Sequence, residues 1–141
     1  MPQLTKLNTA GKTTNVSAKR VSGILQVVPG GTNLIWDPRE TESMTHADAE
    51  KYIAALNEKE SGKGWRLPTV DELFALADRT KFNPAIDKRF FPRCKSDYYW
   101  TSTPAADSPA DYAWFVYFYD GYAGWGRRDY RAFVRAVRPS Q

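Results

Sequence analysis

Hydrophobic and polar positions divide the chain into short segments of opposite periodicity. Gly23 to Val28 is a β-branched and aliphatic run closed by the turn Pro29-Gly30-Gly31, and Thr32 to Trp36 is its hairpin partner. Thr45-His46-Ala47-Asp48 then has the form of a capping box with an acid at its third helical position. Ala49, Tyr52, Ile53 and Leu56 follow on one helical face, predicting a first helix that ends near Asn57 or shortly beyond. Trp65 to Pro68 is extended, because the residue before a proline is pushed out of the helical region. A second capping box, Thr69-Val70-Asp71-Glu72, starts another helix whose buried face is Val70, Leu73, Phe74 and Ala77. Lys81 to Asp97 is a loop pinned by Phe82, Ile86, Phe90 and Phe91. Tyr98 to Thr103 is a strand by composition, and Pro104 to Asp111 leads out of it.

The stretch Tyr112 to Arg138 holds ten of the twenty aromatic residues, and the other segments are arranged to present it. Its first half alternates as a strand, with Tyr112, Trp114, Val116 and Phe118 on one side and Ala113, Phe115, Tyr117 and Tyr119 on the other. Trp114, Val116 and Phe118 are assigned to the core. Asp120-Gly121 is a turn, Tyr122 to Arg131 an irregular or hairpin-edge segment, and Phe133 to Arg138 a closing strand. Tyr117, Tyr119, Tyr122 and Tyr130 are read as exposed. Tyrosine, tryptophan, arginine and glycine are the residues that binding surfaces use for rigid contact area, forked hydrogen bonds and close backbone approach.

The chain has 141 residues, 42% of them hydrophobic and 26% charged, which is enough for one domain with a core. Residues 1–20 are polar and without period, and are read as a mobile arm ahead of a domain over 21–141. The net charge of +4 is spread, although Arg127, Arg128, Arg131, Arg135 and Arg138 crowd the aromatic stretch. Arg135 and Arg138 alternate with Val134, Ala136 and Val137 and are read as scaffold, so nucleic acid is set aside as a partner. Cys94 is the only cysteine, which excludes an internal disulfide and a multi-cysteine zinc cluster; it is read as an ordinary, dispensable thiol. His46, the only histidine, is read as an exposed first-turn residue. No apolar run has transmembrane length, and no membrane insertion is expected. The first twenty residues lack the apolar centre of a signal peptide, so display on a virion or cell exterior is expected only through a larger assembly.

The ordered motifs Leu34-Ile35-Trp36, Gly64-Trp65-Arg66-Leu67-Pro68-Thr69, Asp71-Glu72-Leu73, Pro84-Ala85-Ile86-Asp87, Phe91-Pro92, Tyr99-Trp100-Thr101-Ser102-Thr103, Ala113-Trp114, Asp120-Gly121 and Val134-Arg135-Ala136-Val137-Arg138 resemble one family. It is the DUF1566 family of C-type-lectin-like domains. The resemblance runs from Thr32 to Arg138 and implies an α+β fold: two helices packed on a twisted antiparallel sheet, with the chain termini close together. It also implies a binding protein of one of two kinds. One is the variable protein of a diversity-generating retroelement in a virus, phage or prokaryote, whose AAC- or AAT-rich template is copied with random bases at adenines. The alternative is a constitutive bacterial surface adhesin or glycan-binding domain, in some members a trimer.

Randomised codons of that kind yield Tyr, Asp, Gly, Arg, Ala, Phe, Ser and Asn but never Trp. The family's variable positions fall here on Tyr117, Tyr119, Tyr122, Gly124, Gly126, Arg127, Asp129, Tyr130, Arg131 and Ala132, all types that such codons reach. Trp114 and Trp125 would then be fixed scaffold. The chain departs from the family at Ala136, where many members carry Cys. The partner implied is a protein or glycan receptor on another cell, bound without a cofactor. Catalysis of the formylglycine-generating kind would need a cysteine pair, and no Ser, His and Asp set stands at a nucleophile turn. Neither Glu-Pro-Asn, Gln-Pro-Asp nor Trp-Asn-Asp occurs for calcium-dependent sugar binding.

Overall fold

A computed structural model describes residues 2–140. In chain order the elements are β1 (Gln3–Leu7), β2 (Thr13–Thr14), β3 (Gly23–Val27), β4 (Leu34–Trp36), α1 (His46–Lys59), α2 (Val70–Phe74), β5 (Tyr98–Pro104), β6 (Tyr112–Tyr117), β7 (Tyr122–Arg127) and β8 (Val137–Pro139). They form a small α+β domain with two antiparallel sheets, one ordered β2-β1-β3-β4-β8 and the other β5-β6-β7.

The polar segment expected to be a mobile arm instead supplies the first two strands. All five residues of β1 pair with β3, from Gln3↔Val27 to Leu7↔Gly23. A β-ladder is made by backbone groups, so a polar sequence can enter it wherever an edge is offered. Lys6 hides the signal further: it is buried while its Nζ donates to the Ala18 carbonyl at 2.8 Å. Leu4, Gln26, Leu34 and Pro139 form one row across four strands. The first and last strands therefore end about 14 Å apart, three strand spacings.

Successive residues of β4 point to opposite faces, and both faces are covered. Trp36 joins Ile24, Leu73, Phe91, Tyr99, Val116 and Phe118 in one cluster, beside α2. Ile35 joins Ala49, Ile53, Leu56, Trp65, Trp100 and Val134 in the other, beneath α1. Cys94 belongs to the first cluster although its sequence neighbours Arg93 and Lys95 are polar; Phe90 and Phe91 place it there through the turn that follows them.

Both helices begin where their caps indicate, but the caps differ. At α2 the box is complete: the Glu72 amide donates to Thr69 Oγ1 at 3.2 Å and the Thr69 amide to the Glu72 carboxylate at 2.8 Å. Arg66 also grips Glu72 with two bonds of 2.8 Å. At α1 the Asp48 amide donates to Thr45 Oγ1 at 3.3 Å, while the aspartate is one methylene shorter than the glutamate that reaches back in α2. Thr69→Ala is expected to lower stability by about 0.5–2 kcal/mol in urea melts while leaving the fold intact.

Candidate functional site

Tyr117 pairs with Tyr122 at the start of the β6–β7 hairpin, and the four residues Phe118 to Gly121 close it. The closure is held from outside. Phe118 is buried, its carbonyl accepts from the Ala85 amide at 2.7 Å, and the Tyr119 carbonyl accepts from the Asn83 amide at 2.7 Å. Gly121 has φ +88°, and a Cβ there would meet Arg79, Ala85 and Ala77 at 3.3–3.5 Å, so a side chain is opposed both by backbone and by space.

Of the two readings of Tyr122 to Arg131, irregular or hairpin-edge, the second holds as far as Arg127: β7 is a regular strand at the edge of the sheet. Its register with β6, and that of β6 with β5, builds one face from three rows. Tyr98, Tyr117 and Tyr122 form the first row, Trp100, Phe115 and Gly124 the second, and Ala113 and Gly126 the third. Tyr98 and Tyr117 stack with centroids 4.4 Å apart and Tyr117 continues onto Tyr119 at 6.0 Å. Tyr122 meets Tyr117 edge-on at 5.3 Å, and Phe82 meets Tyr119 at 6.2 Å. Tyr119, Tyr122 and Tyr130 are 41%, 42% and 60% exposed. Aromatic surface so contiguous and so open makes this face the candidate site.

Beside the glycines the face sinks into a cavity of about 380 Å³. Phe115 and Tyr98 form its floor with buried Trp100, and Tyr130, Arg131 and Ala132 wall it from the following loop. That loop is tied to the start of α1. Met44 and Ala132 exchange backbone bonds of 2.8 and 2.9 Å, and Arg131 donates to the Ser43 carbonyl at 2.7 Å. His46 is the anchor, buried at 2% exposure rather than exposed as its first-turn position suggests. Its Nε2 lies 2.8 Å from the Thr101 carbonyl and its Nδ1 2.9 Å from the Arg128 guanidinium. Nε2 therefore carries the proton and Nδ1 accepts, which is the neutral ring.

Burial, joined by the Arg128 charge, holds the His46 pKa below its ordinary 6.5, against the opposing Thr101 bond and Glu50 carboxylate. The unfolded chain thus binds a proton at a higher pH than the folded one. Stability should be full above pH 6.5 and fall as the pH drops below it. The expected result is a lower urea midpoint at pH 5.5 than at pH 7.5, with the difference reduced in His46→Gln; equal slopes for the two proteins would show that His46 does not carry it.

The structure places the ten positions singled out in the sequence unequally. Tyr117, Tyr119, Tyr122, Gly124, Gly126, Tyr130, Arg131 and Ala132 gather on or beside the aromatic face. Arg127 stands with Tyr112 on the reverse of the sheet, where its guanidinium pairs with Asp129 at 3.1–3.2 Å and holds that carboxyl below its usual range. The inward assignment holds for Val116 and Phe118 but not for Trp114, which is half-exposed and meets Trp125 edge-on at 5.0 Å. The short helix α2 covers only part of that sheet face; Ala113, on the other face, is buried in its place.

Tyr98 and Trp100 belong to the candidate face although alternation within Tyr112 to Tyr119 does not reach them, and Phe115, on that side by alternation, joins them without being among the ten positions. The available signal was the aromatic composition of Tyr98 to Trp100, which becomes decisive only once the register to β6 is known. Trp125, assigned to fixed scaffold, is 55% exposed and reaches the cavity rim. Partial burial, with Tyr98 adjacent, pushes the phenols of Tyr117 and Tyr122 up, so they act as neutral hydroxyls. Burial likewise raises the Cys94 thiol, the opposite of what a nucleophile needs. A wider cleft of about 500 Å³, lined in part by Lys6, Lys19, Arg39 and Arg93, shares no residue with this face.

Fold and face together define a small α+β domain of two helices and antiparallel sheets with an open aromatic surface. The chain belongs to the Lcl C-terminal domain family, whose model matches residues 27–138; the DUF1566-like resemblance of its ordered motifs holds at that level. The matched region opens inside β3, so β1 and β2 lie ahead of it. Membership is consistent with a surface or ligand-binding domain. The search of curated proteins returned no match. Among the described residues, no helix is long and apolar enough to cross a membrane.

Proposed function

We propose that the chain is a receptor-binding domain of C-type-lectin-like architecture, the variable protein of a diversity-generating retroelement in a virus, phage or prokaryote. One observation carries this reading. The ten positions matched to the family's variable ones come from a strand, a turn, a second strand and a loop, yet all but Arg127 and Asp129 meet on or beside one aromatic surface. Beneath them lies a scaffold held by buried side chains and backbone bonds, so the face can change while the fold persists. The function is binding without catalysis, to a protein or glycan receptor on another cell.

The test is to sequence the locus. A near-copy of the segment encoding residues 112–138, differing only at adenines and lying near a reverse transcriptase gene, is the expected finding. Its absence would remove the retroelement and leave a constitutive adhesin using the same face.

A further inference from the structure

We infer that the cavity beside Gly126 is a socket for one bulky apolar or aromatic side chain of a protein partner, with a carboxylate next to it in that partner. The inference rests on the binding reading above and specifies the chemistry of what is bound. Gly126 is buried, and a Cβ built on it would stand 3.2 Å from the Phe115 ring and 3.7 Å from the Tyr130 ring. A side chain at Gly126 would therefore crowd the two rings that line the cavity, and its absence lets them settle against the strand and leave the neighbouring space open as the socket.

Its polar capacity is too small for a sugar. No Asp, Glu, Asn or Gln lines it, and the Trp100 indole N–H is already donated to the Met44 carbonyl at 2.9 Å. A pyranose placed there would bury hydroxyls with few acceptors to meet them, whereas an apolar side chain leaves nothing unsatisfied.

The rim adds the charge. Arg131 is held by Ser43 through its carbonyl at 2.7 Å and its hydroxyl at 3.5 Å, and pairs with no carboxylate among the described residues. Arg128 is likewise engaged by His46 and a carbonyl, and the pairing of Arg127 with Asp129 neutralises only one of the three arginines. An exposed guanidinium fixed at the mouth of an apolar slot complements a carboxylate beside an apolar side chain.

The experiment is an amide and indole NMR titration of the whole chain with three small probes at up to tens of millimolar. N-acetyl-L-phenylalanine should shift the Trp100 indole and the Gly126 amide. N-acetyl-L-phenylalaninamide should shift the same signals but bind about threefold more weakly, and Arg131→Gln should abolish that difference. Methyl β-D-galactopyranoside should leave them unmoved. Gly126→Val should block the first two probes. Should that variant unfold, Tyr130→Ala, which removes an exposed wall, must weaken them several-fold in a folded protein. Failure of N-acetyl-L-phenylalanine to shift these signals overturns the socket while leaving the wider face and its variability untouched. Saturable shifts with the galactoside alone would assign the slot to sugar and overturn the proposal.

Discussion

Glu40→Ala is expected to destabilise the domain by about 3–5 kcal/mol, because it strands a buried guanidinium. Arg135 is 1% exposed and lies over the Phe91 and Tyr99 rings, 4.8 and 5.6 Å from their centroids. One of its nitrogens binds the Glu40 carboxylate and the other donates to the Asp37 and Arg39 carbonyls at 3.0 and 3.3 Å. Tyr99 donates to the second Glu40 oxygen at 2.7 Å and accepts from the Lys95 amide at 2.9 Å. The carboxylate is the only negative charge against this arginine among the described residues. Arg135 itself is closed off from solvent, so the cost approaches a large part of the stability of a domain this size, about 5–15 kcal/mol. Replacing both partners, Glu40→Gln with Arg135→Met, should recover much of it, since no buried charge is then left unpaired and the glutamine carbonyl still accepts from Tyr99. Guanidinium denaturation of the single and double variants decides the matter; a single-variant loss under about 1 kcal/mol would mean that the pair is reached by solvent.

Simultaneous replacement of Tyr119, Tyr122, Tyr130 and Arg131 by serine should reduce binding to receptor-bearing cells by more than about a hundredfold. Central tyrosines and arginines commonly contribute about 2 kcal/mol or more each at an interface, and about 1.4 kcal/mol is tenfold in affinity. Thermal stability should change little, because these side chains are exposed and meet the rest of the protein mainly through ring edges and stacking at Tyr117, Phe82 and Phe115 and through the exposed Arg131–Ser43 bonds. Tyr117 is left in place, since it is half-buried in the stack between Tyr98 and Tyr119 and belongs partly to the fold. Flow cytometry with labelled protein and a thermal melt on the same variant separate the two roles. A melt lowered by 10 °C or so, with binding per folded molecule retained, would make the aromatic face structural.

What could be read from the residues was local. Thr45 and Thr69 mark helix starts because a cap is an interaction over three residues. The run Tyr112 to Tyr117 declares itself a strand because alternation is a property of the chain itself, and Asp120-Gly121 marks the hairpin because only certain residues turn there. The ordered motifs reached further, to the family and to a list of positions matched to its variable segments, most of which gather on or beside one face.

What only tertiary structure decided was the company each residue keeps. Residues 3–7 are a strand because β3 offers an unpaired edge, not because Gln3 to Leu7 alternates clearly. His46 is buried because Trp100, Thr101 and Arg128 close over it from distant segments. Tyr98 and Phe115 enter the site because register sets them in rows with Tyr117 and Gly124, and Arg127 leaves it because the same register turns it to the reverse. Periodicity tells which residues share a side of a strand, but the free energy of burial depends on what is packed against that side, and those neighbours lie far away in sequence.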